Sequence, residues 1–132
     1  NFFIRTIMIK GKVYFDTNFT TAADQDFIFN FSENSNGYLI QEELFSYRIL
    51  PNSMSRNVAL QEKEHVLVYK KAAKNKLFKS FWFKQKCFSN MYLILAGSWW
   101  VNGGNKLRAL KFVFKSIVIY PPQLINVLKK RI

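Results

Sequence analysis

The chain has 132 residues, 49% hydrophobic and 17% aromatic, a size that fits one domain with a modest core and a composition that excludes a disordered tail. A single cysteine excludes an internal disulfide, and the longest apolar run, MYLILAGSWWV, falls well short of the roughly 20 residues of a membrane-spanning helix. The net charge of +12 divides unevenly: residues 1–64 hold eight acids against six Lys/Arg, while residues 65–132 hold 14 Lys/Arg and no acid. A mixed front part is thus joined to a basic back part suited to an anionic partner. No signal-peptide pattern is visible at the start, and a reduced, cytosolic setting is expected.

Residues 2–9, FFIRTIMI, are β-branched and aromatic and predict a strand. A turn and loop follow, punctuated by Gly11 and by Asp16-Thr17-Asn18. Thr20 or Thr21 caps a predicted helix that runs to about Glu33, where ENSNG ends it. GYLIQEELFSYRIL, with Phe45, Tyr47 and Ile49 alternating against Leu44, Ser46 and Arg48, predicts one bent strand or two short ones. Ser53 or Ser55 then starts a helix over about 56–74, followed by a helical stretch over 76–101 interrupted around Ser89 and Asn90. NGGN at 102–105 is a break. A last helix over about 106–119 carries Leu107, Leu110, Phe114 and Ile117 at 3-4-3 spacing, with Lys106, Lys111 and Lys115 elsewhere on its surface. YPPQ stops it and a short basic tail closes the chain. The front is expected to be α/β and the back almost entirely helical.

Two aspartates, Asp24 and Asp26, open the first helix. Thr21-Ala22-Ala23-Asp24 has the spacing of a capping box, and acids in a first turn also favour the helix dipole, so a purely structural role accounts for the pattern. Facing directions weigh on the other side. At 100° per residue the two point about 200° apart. Asp24 falls beside Phe27, Ile28 and Phe31, the expected buried side, and Asp26 falls with Asn30 and Glu33 on the polar side. A carboxylate at the edge of an apolar stripe, just after a loop, suits a general base. Asp26 reads as structural on facing alone.

Phe15-Asp16, then Asp24-Gln25-Asp26, then Tyr47-Arg48 followed by Ser53 and Ser55, occur in the order and at the spacings of the second half of the catalytic domain of family 2 glycosyltransferases, which have the GT-A fold. The chain resembles that family over roughly residues 1–65. The resemblance implies an α/β region, part of a GT-A-like sheet, over 1–55, and a basic helical C-terminal region over 56–132. It implies inverting transfer of a sugar from a nucleotide-sugar to an acceptor hydroxyl, in bacterial surface-polysaccharide synthesis. Asp24 matches the catalytic base, and Arg48 and Asp26 fall on the donor side. A divalent metal, Mg or Mn, is implied, with its ligands mainly in a first half that these residues do not supply, so the isolated chain is not expected to turn over. Four positions depart from the family pattern: Ala23 stands for the usual Glu, Gln25 for an aromatic, Asn30 for an Arg, and Leu50 for the His after Tyr-Arg.

The expected partners are a nucleotide-sugar, a saccharide or lipid-linked acceptor, an anionic membrane surface and a second copy of the chain. The setting is cytoplasmic, at or near the inner face of the membrane. The stripe Leu77, Phe78, Phe81 and Trp82, edged by lysines, either packs on the front part or lies at a membrane surface. The rival reading is a small basic module that binds nucleic acid or a membrane without catalysis; no nucleic-acid motif accompanies the charge, and nucleic acid ranks below the other partners. His65 has no partners for a metal site and reads as a surface or half-buried helix residue. Cys87 reads as an idle or buried thiol, with Lys86 beside it as the one influence that would lower its pKa.

Overall fold

The computed structural model describes residues 15–32, 38, 40–42, 46 and 56–125. Four helices account for most of them: α1 (Ala23–Ser32), α2 (Val58–Lys74), α3 (Phe81–Val101) and α4 (Lys106–Ile119). Among the described residues there is no strand, so the fold class is all-α and the α/β expectation is corrected. The strand expected over 2–9 lies outside the described residues. The one expected over 37–50 has no counterpart at Tyr38, Ile40, Gln41, Glu42 or Ser46. The physical reason is pairing. A period-two pattern becomes a strand only when another edge accepts its N–H and C=O groups. The described backbone satisfies itself almost wholly within helices and offers no such edge.

Each of the last three helices starts on a polar cap. Asn57 accepts from Leu60 N–H at 3.1 Å, Ser80 from Phe83 N–H at 3.1 Å, and Asn105 from Arg108 N–H at 2.9 Å. The start expected at Ser53 or Ser55 therefore moves to Asn57. α2 ends in a Schellman turn: Leu77 N–H bonds Ala72 C=O, Lys76 N–H bonds Ala73 C=O, and Lys76 takes the left-handed position with φ 57°. The 102–105 break reverses the chain between α3 and α4. Gly104 has φ +63°, and a Cβ on Gly103 would lie 2.4 Å from the Trp99 ring, so both glycines are required there.

α3 runs without the interruption expected near Ser89, because that hydroxyl is satisfied across the seam instead of within its own helix. Ser89 Oγ donates to Ser116 C=O at 3.0 Å, and Ser116 Oγ donates to Ser89 C=O at 2.9 Å; both residues are fully buried. The same antiparallel register sets Ala96 opposite Ala109, and these small residues let the two helices approach closely. Tyr92 stacks on Phe112 with centroids 5.8 Å apart.

The core is built on Tyr69, Met91, Tyr92 and Leu95, with Phe29, Phe78, Phe88, Phe112 and Ile119 packed around it. Tyr69 is its hinge, meeting Phe29 of α1 edge-on at 5.1 Å and Phe88 of α3 at 5.5 Å. The stripe expected from Leu77 to Trp82 is divided. Phe78 joins this cluster, while Phe81 and Trp82 are exposed at the start of α3.

The largest reversal lies in α4. Its expected apolar face is turned outward: Leu107, Leu110 and Phe114 are exposed, and the buried positions are Ala109 and Ser116. Close packing against α3 selected small side chains over large ones.

Candidate functional site

The segment that carries the two aspartates is held almost entirely by one face of α2. Glu64, Val68 and Lys71 recur there at i, i+4 and i+7, and Glu64 and Val68 are buried. The Glu64 carboxylate accepts the N–H groups of Thr20, Thr21 and Ala22 at 3.0, 2.6 and 3.1 Å, and both threonine hydroxyls at 2.8 Å. Burial alone would raise the Glu64 pKa, but the Thr21 and Thr20 hydroxyls and N–H groups outweigh it and pull the carboxyl from its ordinary 4.5 down to about 2. The expected capping box is therefore replaced: Thr21 gives its hydroxyl to a carboxylate on another helix, and the turn ahead of α1 is tied to α2.

Lys71 supplies the second tie. Its ammonium lies 2.8 Å from Asp26 Oδ2 and 2.9 Å from Asp16 Oδ2, and 5.4 Å from the centroid of the Phe19 ring. Burial works against the charged lysine, and the bonds to Asp16 and Asp26 overcome it, raising its pKa. The Lys71 bond, helped by Asn18, holds Asp16 at about 2. Asn30 Nδ2 donates to the same Asp26 oxygen at 3.1 Å. Behind this pair Phe15 stacks on Phe27 at 4.5 Å.

The two aspartates thus exchange the faces expected of them. Asp26 is 2% exposed, and Asp24 is exposed. Facing alone set Asp26 on the polar side because it could not see Lys71, whose stem crosses the core edge and carries a counter-charge inward to meet that carboxylate. Asp24 Oδ1 accepts the Gln25 N–H at 2.7 Å, and no hydrogen bond among the described residues engages its Oδ2. Gln25, which stands where the resemblance calls for an aromatic, is turned inward. Its Nε2 donates to Tyr69 Oη at 3.3 Å, and its Oε1 is buried with no hydrogen-bond partner among the described residues.

Arg48 lies outside the described residues, as do Tyr47, Ser53 and Ser55; of the motif residues that are described, Asp16 and Asp26 meet on Lys71, and Asp24 joins neither of them. Asp26 has its charge taken up by Lys71 and is not free to meet a donor. Among the described residues no group of three or more His, Cys, Asp or Glu is arranged to hold a metal ion. An ammonium already bridges Asp16 and Asp26. The described residues form no seat for the implied divalent metal.

Three residues that matter here escaped the sequence reading: Glu62, Glu64 and Lys71. Glu62 binds Arg108 through both oxygens, at 2.8 Å to Nη2 and 2.9 Å to Nε, and accepts Trp99 Nε1–H at 2.7 Å, tying α2 to the α3–α4 turn. A signal was present. Glu62 and Glu64 are the only acids after Glu43, set in a chain that is otherwise basic from there on. His65 is the half-buried helix residue expected, its Nδ1–H donating to Gln61 C=O at 2.8 Å. Burial pushes the Cys87 thiol up, against the opposing pull of Lys86, and its side chain packs against the core cluster. No protein family, curated protein or solved structure matches the chain.

Proposed function

We propose that these residues form the acceptor side of an inverting glycosyltransferase, with Asp24 as general base. The apolar-edge setting expected of Asp24 is not what the structure gives, and the observation that carries the reading is instead the division of labour between the two aspartates. Asp26 is consumed by the fold, while Asp24 is displayed to solvent on a helix start that is anchored twice, by Glu64 and by Lys71. The ordered motif set described above supports it as well; the sheet of the GT-A fold no longer forms part of the case.

The chemistry asks for such a group. A sugar hydroxyl is a poor nucleophile until its proton is accepted during attack. The Asp24 carboxylate takes the acceptor O–H proton as that oxygen bonds the anomeric carbon of a nucleotide-sugar. The bond from that carbon to the diphosphate breaks on the opposite face, and the nucleoside diphosphate leaves with the electron pair. The anchors matter because a base displaced by about 1 Å loses much of its effect.

The test is made in the natural protein that contains these residues, with a panel of nucleotide-sugars and release of nucleoside diphosphate as the readout. Asp24→Asn is expected to lower turnover by about 10²–10⁴ while leaving the melting temperature unchanged. Asp26→Asn is expected to lower the melting temperature. Absence of any nucleotide-sugar turnover in the wild-type protein would overturn the reading.

A further inference from the structure

We propose that α4 seats the chain on an anionic lipid surface through Leu107, Leu110, Phe114 and Val118. These four residues are 82%, 55%, 70% and 61% exposed. Their spacing of i, i+3, i+7 and i+11 keeps them within an arc of about 80°. The opposite side of the helix, Ala109 and Ser116 with Phe112 and Ile119, is the side that packs inward. The core therefore makes no use of the stripe, and a run of large apolar side chains stands in water.

Charge decides what covers it. Lys106 and Lys111 are exposed on either side of the stripe, and Lys115 lies beside Lys111 with its ammonium 4.4 Å from the Tyr92 ring centroid. At the hairpin tip Trp100 and Val101 are exposed, with Lys106 5.5 Å from the Trp100 ring centroid. Residues 65–132 hold 14 Lys/Arg and no acid. A second copy docked on the same stripe would set lysines against lysines, and like charges brought together oppose the contact. A nucleic acid would engage the lysines but leave Leu and Phe in water. An anionic bilayer satisfies both: headgroups meet the ammonium groups, and Leu, Phe and Trp enter the boundary between headgroups and acyl chains. No helix among the described residues is long and apolar enough to cross a membrane, so the contact is one of lying on the surface.

The whole chain is sedimented with vesicles of phosphatidylcholine containing a quarter phosphatidylglycerol, and with phosphatidylcholine alone. Wild type is expected to pellet with the anionic vesicles and shift its tryptophan emission to the blue. Neutral vesicles are expected to bind it at least tenfold more weakly. Leu110→Glu/Phe114→Glu, at exposed positions, is expected to keep the wild-type melting curve and lose binding at least tenfold. Lys106→Gln/Lys111→Gln, which spares every apolar contact, is expected to lose about fivefold per lysine and serves if the first variant does not fold. Binding unchanged in both variants overturns the proposal. So does a dimer in sedimentation velocity that the Glu variant dissolves, or salt-sensitive RNA binding in place of vesicle binding. Every readout is independent of turnover, so failure here leaves the sugar-transfer reading standing, and the reverse holds.

Discussion

Asp26 is a carboxylate that the fold has sequestered. With 2% of its surface exposed, its charge is tolerable only because Lys71 sits 2.8 Å away. Removing the lysine leaves that charge buried without a counter-charge, held only by the Asn30 amide. Lys71→Met is expected to destabilise the chain by about 3–5 kcal/mol, whereas Lys70→Met, one residue away and exposed, should change stability by less than about 0.5 kcal/mol. Urea unfolding of the two variants makes the comparison. Glu64 gives the companion prediction with pH. Its folded pKa of about 2 lies below the ordinary 4.5, so folding favours the ionised form. The stabilisation is complete above pH about 4.5 and drains as pH falls toward about 2. Acid titration of the melting temperature is expected to show that loss in wild type. In Glu64→Gln the curve should be flatter over the same window, from a lower starting value. An identical acid slope in the variant would place the pH sensitivity elsewhere.

Helix existence was legible from the sequence far better than helix orientation. The bounds of α4, the 102–105 break and the helix over 56–74 follow from caps, glycines and apolar period, which are local signals. Which face of a helix is buried is not local. α4 turns its large residues outward because the Ser89–Ser116 pair and the Ala96–Ala109 approach set the α3–α4 seam, and that choice involves both helices at once. Asp26 was misplaced for the same reason, its partner lying 45 residues further on. The strand expected over 37–50 rested on alternation alone, without a partner edge. Element ends still yield to local chemistry. Lys76 occupies the left-handed position of the Schellman turn, where a side chain costs about 1–2 kcal/mol relative to glycine. Lys76→Gly is expected to raise stability by about 0.5–1 kcal/mol after allowing for the more flexible unfolded chain, read as a melting temperature a few degrees higher.

At the scale of the molecule, the charge division visible in the sequence becomes a division of surfaces. The acidic residues Asp16, Asp26, Glu62 and Glu64 are consumed in ties between the elements, and the basic helices are left with an unbalanced positive exterior. Two described acids, Asp24 and Glu42, stay on the surface, and Asp24 is the one in α1. The motif order that pointed to sugar transfer was legible because it needs only spacing. The exposure of Asp24 was not, because it depends on α2 holding the turn at 20–22 in place. The measurement that bears most directly on this account is the turnover ratio of Asp24→Asn to wild type in the natural protein, taken with the melting temperatures of both. A fall of about 10²–10⁴ at unchanged melting temperature is the predicted result. Turnover kept within a fewfold of wild type would contradict it.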